Sequence, residues 1–197
     1  MMRRTIVCLL GLTLAGAQGV RAAVYEVHPG GENKVVFVSK APTETFEGKT
    51  SKIEGELWLD PGAIGDSIRV HLEVSLATLD TGIGKRNQIM RKDHLETDKF
   101  PKATFDGATV LTPGKIEPGK STTFEIEGTF AIHGVSRRLR CKADVGFAKE
   151  SNPRAIAFTA SFPVALPDYN IRRPEFLFLK LAEVQNVHVT CVAVSEH

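Results

Sequence analysis

Apolar and polar residues alternate with a period of two through most of this chain, the spacing of strands that bury one face. In Ile53–Leu59, Ile53, Gly55, Leu57 and Leu59 oppose Glu54, Glu56 and Trp58. In Val70–Thr78, Val70, Leu72, Val74 and Leu76 oppose His71, Glu73 and Ser75. Phe124, Ile126, Gly128, Phe130 and Ile132 oppose Glu125, Glu127, Thr129 and Ala131. Ile156, Phe158, Ala160, Phe162 and Val164 oppose Thr159 and Ser161. With Lys34–Lys40, Lys102–Leu111, Arg138–Phe147 and Val184–Val194, at least eight strands are expected. Turn-forming residues separate them: Asp60-Pro61-Gly62, Thr112-Pro113-Gly114, Glu117-Pro118-Gly119, His133-Gly134 and Ser151-Asn152-Pro153. One helix is expected, over about Lys85–Glu96. Strands in such close succession predict antiparallel hairpins in an all-β sandwich or closed barrel. A barrel of about eight strands either fills its interior with side chains or encloses one small ligand. The pattern leaves both open.

The chain has 197 residues, of which 42% are hydrophobic, enough for one well-packed domain and too many for a disordered chain. The formal charge of +2 hints at an anionic partner, but that excess is local. Arg3 and Arg4 precede an uncharged, mostly apolar run, Thr5–Ala17, and Val20-Arg21-Ala22 follows with small residues around a cleavage point. This is the pattern of a secretory signal peptide over residues 1–22. The apolar run is too short for a membrane-spanning helix, which needs about 20 apolar residues. Cleavage after Ala22 removes Arg3, Arg4 and Arg21, taking the 25 basic residues to 22 against 23 acidic ones, a net charge of −1. Nucleic acid is therefore not an expected partner, and residues 23–197 form the expected domain.

Export places Cys141 and Cys191 in an oxidising compartment. A bridge between them would close a loop of about 50 residues, worth about 4 kcal/mol in the chain-entropy model. Both lie in apolar strand-like runs where a free thiol also packs as a small hydrophobe, so both readings stand. His28, His71, His94, His133, His188 and His197 form no local metal-binding spacing, and no metal is expected. The chain carries no G-x-S-x-G elbow, phosphate loop or dinucleotide fingerprint. Neighbouring carboxylates such as Glu54/Glu56 and Glu125/Glu127 fall on polar strand faces.

Four stretches, in order, resemble the YceI-like family of bacterial periplasmic proteins. The first runs from Tyr25-Glu26-Val27 through Val35-Val36-Phe37-Val38-Ser39-Lys40 to Phe46-Glu47-Gly48-Lys49-Thr50 and Ile53-Glu54-Gly55. The second runs from Leu79-Asp80-Thr81-Gly82 through Arg86, Met90-Arg91 and His94-Leu95-Glu96 to Phe100-Pro101-Lys102-Ala103-Thr104-Phe105. Gly128-Thr129-Phe130-Ala131-Ile132-His133-Gly134-Val135 is the third, and Pro167-Asp168-Tyr169-Asn170-Ile171 the fourth. The chain departs from the family pattern at Asn87, where an Asp is usual, at Ile89 for a His, and at Gly30-Gly31-Glu32-Asn33 for a His-Ser pair.

The resemblance implies a lipocalin-like barrel that binds a polyisoprenoid, such as an isoprenoid quinone or a polyprenyl phosphate, without catalytic groups or a cofactor. It implies a periplasmic location. On that reading Phe37, Phe46, Leu72, Val74, Leu76, Phe105, Phe124, Phe130, Phe158 and Phe162 are expected to line the cavity. Arg86, Arg91 and His94 are head-group candidates, against the plainer reading of Arg86–Glu96 as a solvated helix with internal ion pairs. A homodimer through the barrel mouth or an edge is compatible with this picture. The contrasting reading is an exported enzyme or stress-defence protein acting on an isoprenoid or small redox lipid. A convergent polar site inside the cavity would favour it.

Overall fold

The computed structural model describes residues 22–40, 45–65, 68–176 and 179–196, so positions 1–21 of the expected signal peptide lie outside the described residues. The strands are β1 (Ala23–Val27), β2 (Lys34–Lys40), β3 (Thr45–Thr50), β4 (Ile53–Leu59), β5 (Arg69–Ser75), β6 (Lys102–Val110), β7 (Thr122–Ile132), β8 (Val135–Lys149), β9 (Asn152–Ala165), β10 (Glu175–Phe176), β11 (Leu179–Lys180) and β12 (Val184–Val194). The helix α1 spans Gly84–Ile89. Through the sheet, β1, β4, β5, β6, β7, β8, β9 and β12 follow one another, and Glu26 pairing with Val194 joins β12 back to β1. All of these pairings are antiparallel. β2 lies along the same edge of β12 as β1, from Asn186↔Val38 to Thr190↔Lys34. β3 pairs with β2, and its Lys49 bridges to Asp80 beyond β5. Thus β1 with β2, and β3 with β4, are two interrupted staves of a closed barrel of eight. The expected all-β barrel with one short helix is the fold observed.

Side-chain chemistry explains both the breaks and the turns. Between β1 and β2 the buried amide of Asn33 donates to the carbonyl of His28 at 2.6 Å and accepts from the amide of Val192 at 2.7 Å. It supplies hydrogen bonds where the backbone ladder is interrupted. His133-Gly134 makes the tight β7–β8 turn, with φ of 55° and 74°, the mirror-image turn whose twist matches its flanking strands. The helix is shorter than the expected Lys85–Glu96. After Ile89 the backbone widens into a π turn, Met90–His94, closed by Leu95 N–H donating to Met90 O at 2.8 Å, and His94 and Leu95 become buried. Likewise the expected strand Val70–Thr78 stops at Ser75, and Leu76–Thr78 forms a 3₁₀ turn that buries Leu76.

At the end where β9 begins, Tyr25, Ile156, Cys191 and Ala193 are 0–2% exposed and lie outside the cavity lining, and the Tyr25 hydroxyl donates to Pro153 O at 3.3 Å. The other end is covered by the Leu76–Thr78 turn, α1 and the Leu166–Tyr169 turn, whose apolar residues pack with Phe130, Leu139 and Val164. The outer wall carries charge: Glu127 pairs with Arg138 and Arg140, and Glu73 with Lys102. A membrane-spanning barrel instead presents an apolar band outward. Among the described residues no helix is long and apolar enough to cross a membrane.

The Cys141–Cys191 bridge considered above is not formed; both thiols are free and buried. Register explains why. Cys191 on β12 faces Phe158 on β9, while Lys142, next to Cys141 on β8, faces Ser161. The two cysteines are two strand spacings and three to four residues apart, roughly 15 Å. A disulfide requires Cα atoms within about 7 Å.

Candidate functional site

The barrel encloses a cavity of about 660 Å³. It is lined by Phe37, Phe46, Leu72, Val74, Leu76, Phe105, Phe124, Phe130, Phe158 and Phe162, the ten positions expected to face inward. Two glycines help to explain how so many aromatic rings leave the centre open. A Cβ on Gly48 would lie 2.1 Å from Phe37 Cε1, and one on Gly128 would lie 2.4 Å from Phe105 Cζ. Each ring therefore occupies the space above a glycine on the neighbouring strand instead of projecting along the barrel axis. Phe130 is held edge-on by Phe162 and Tyr169, each with its ring centroid 5.5 Å away.

Polar lining groups are concentrated at the α1 end, where Ser39, Thr81, Lys85, Arg86, His94, Glu175 and Gln185 meet the cavity. Thr104 also lines it, but its hydroxyl is turned to Asp106. Arg86 is built in firmly. Its Nε donates to Thr81 Oγ1 at 3.0 Å, its Nη2 donates to Thr81 O at 2.9 Å, and its guanidinium lies 3.9 Å from the centre of the Phe46 ring.

Beneath it the buried Asn87 explains one departure from the family pattern. Its carbonyl oxygen accepts from Thr81 N at 2.8 Å and Thr81 Oγ1 at 2.7 Å, while its amide donates to Asp80 Oδ1 at 2.7 Å. An aspartate there could not donate to Asp80. Hydrogen bonds from Gly82 and Asn87 hold the Asp80 carboxyl below the usual range.

The other two head-group candidates separate. Burial holds His94 below the ordinary histidine range, and its Nδ1 bonds Arg172 O at 2.9 Å. The neutral ring donates through Nδ1 to that carbonyl, which leaves Nε2 an acceptor. Arg91 does not reach the cavity lining; its Nη2 donates to Leu79 O at 2.8 Å, and its Nε is buried without a partner. Sequence reasoning missed Ser39, Thr81 and Gln185. Ser39 and Gln185 were visible in principle, as polar residues on inward faces beside Phe37 and Val187. Among the described residues no group of three or more His, Cys, Asp or Glu could hold a metal ion.

A closed antiparallel barrel around an apolar cavity, with polar groups gathered at one end, is a lipocalin-like barrel. Its particular kind is given by similarity: the YceI-like domain matches residues 25–193, and the chain belongs to that family. Among its relatives, a UPF0312 protein of Photorhabdus laumondii is 25% identical over 174 residues, 83% of this chain and 86% of the relative. A UPF0312 protein of Azotobacter vinelandii is 27% identical over 141 residues, 70% of each chain. Among solved structures, a polyisoprenoid binding domain from Saccharophagus degradans, implicated in plant cell wall breakdown, superposes with a TM-score of 0.66 at 17% identity, covering 89% of this chain and 99% of that one. Burkholderia cenocepacia BcnA gives a TM-score of 0.65 at 22% identity, covering 82% and 96%. At these identities the structural likenesses establish the fold alone.

Proposed function

We propose that this protein is a non-catalytic carrier of a polyisoprenoid lipid, exported to the periplasm by cleavage after Ala22. The observation that carries this reading is the cavity itself, apolar along its walls and polar at one end. An apolar chain gains about 0.8 kcal/mol for each CH₂ removed from water, so a few five-carbon units offset the cost of ordering them. A shaped apolar lumen suffices for this task, and the polar groups at its α1 end are tied to the protein, Arg86 to Thr81 and His94 to Arg172 O, so they serve to hold a head group and not to react with it. The polyisoprenoid binding domain of Saccharophagus degradans supports the choice of lipid, since its barrel has the same fold. β1 begins at Ala23, so the proposed cleavage leaves every stave of the barrel in place.

Native mass spectrometry and lipid extraction of the protein purified from its own host test the proposal. The expected result is one polyisoprenoid per barrel and an N-terminus at Ala23. A barrel that is consistently empty and converts an added isoprenoid into product would replace the carrier by the enzyme.

A further inference from the structure

Ser39 and Gln185 are opposed across the β2–β12 pairing. Val38 pairs with Asn186, which brings their neighbours Ser39 and Gln185 level with one another. Both belong to the cavity lining, at 1% and 8% exposure. Gln185 Nε2 is committed, donating to Ala182 O at 2.6 Å. Gln185 Oε1 and Ser39 Oγ are both buried without a hydrogen-bond partner. Two unsatisfied polar atoms on paired residues of one lining face mark a place where a polar group of a ligand belongs.

We propose that Ser39 and Gln185 form the polar seat of the ligand and that they recognise a terminal hydroxyl, either of an isoprenoid alcohol or of a reduced, hydroxyl-bearing quinone. This rests on the carrier reading above. A single hydroxyl satisfies both atoms: its oxygen accepts from the Ser39 Oγ–H while its hydrogen is donated to Gln185 Oε1. An ether or an oxidised quinone carbonyl has no hydrogen to donate and leaves Oε1 unsatisfied. A phosphate, an acceptor bearing negative charge, would face Oε1 unfavourably. Arg86, at the same end of the cavity, already donates to Thr81 and stacks on Phe46. Position also fits the role. Ser39 pairs with Phe46, so the seat lies beside the ring on which Arg86 rests, and a lipid bound there extends its tail towards Phe124.

Delipidated full-length mature protein titrated with geranylgeraniol and with geranylgeranyl methyl ether provides the test, together with decylubiquinol and decylubiquinone. Wild-type protein is expected to prefer a hydroxyl over its matched partner about tenfold, and Ser39→Ala and Gln185→Met each reduce that preference towards one while tail-driven ether binding persists. Thermal unfolding by circular dichroism identifies variants that still fold. Preference in the alcohol pair alone assigns the seat to an alcohol, and preference in the quinone pair alone assigns it to a quinol. Tight binding of all four compounds without preference overturns the hydroxyl seat while leaving the carrier reading intact. So does a preference that survives in both variants. Absence of binding by any of the four overturns the carrier reading and the seat with it.

Discussion

Gly48→Ala isolates the shape of the cavity from the stability of the barrel. The new Cβ would sit 2.1 Å from Phe37 Cε1 and 2.4 Å from Cζ. Ordinary carbon–carbon separation is about 3.5 Å, so the ring must retreat by roughly 1.4 Å, and the space open to it is the lumen. The atoms in conflict are the far end of a side chain, so the strand need not move. Alanine in a strand gains about 0.5–1 kcal/mol over glycine, which offsets the looser packing of the displaced ring against the wall. The net change in stability is expected to stay within about 1 kcal/mol. Binding is more exposed to the change. Excluding two carbons of a ligand tail costs about 1.6 kcal/mol, and excluding a whole five-carbon unit about 4 kcal/mol. Affinity is therefore expected to fall at least tenfold, measured by calorimetric titration with geranylgeraniol alongside urea unfolding. Gly48→Ala combined with Phe37→Ala should restore room in the lumen. Gly128→Ala provides the contrast: its Cβ meets the Gly107 carbonyl oxygen at 2.2 Å, a backbone conflict that destabilises the barrel itself. Unchanged affinity in a stable Gly48→Ala protein would refute the claim that the glycine makes room for the ring.

Two further perturbations probe the wall and the polar end. Phe130→Asp removes a ring held by Phe162 and Tyr169 and puts a carboxylate in the apolar lining, with an expected loss of about 3–5 kcal/mol from the ring alone and of all co-purifying lipid; a folded variant carrying a full lipid load would mean that the ligand does not rest there. His94, held by burial below its ordinary value of 6.5, gives stability that is fully present above pH 6.5 and declines as pH falls towards its folded value, because only the unfolded chain takes up the proton there. His71, held upward by its hydrogen bond to Asp106, acts in the opposite sense, its contribution fading as pH rises through its folded value. His94→Asn, which keeps a donor for Arg172 O, should flatten the acid-side fall in the urea midpoint; an unaltered profile would assign that fall to other groups.

The limits of what the sequence discloses have identifiable causes in this barrel. Alternation is readable where a strand has one wet and one dry face over many residues, which is why β4 and β12 occur at the boundaries expected from their patterns. β1 and β3 have five and six residues, too short a run for a period to declare itself, and both are halves of interrupted staves. Alternation points to apolar wall positions because an inward face is an inward face whether the barrel is solid or hollow. What alternation does not carry is the distinction between those two outcomes. That distinction depends on pairs of residues far apart in the chain, such as Phe105 with Gly128, where a ring and an absent side chain share one volume. Polar members of an inward face carry the complementary signal. Ser39 and Gln185 break the apolar face of otherwise apolar strands, and a packed core without a ligand tolerates such breaks only when they are satisfied internally. Here neither Ser39 Oγ nor Gln185 Oε1 is satisfied. An unsatisfied polar atom on an inward strand face is thus a local sign of a hollow barrel, and it marks where along the lumen a polar head belongs.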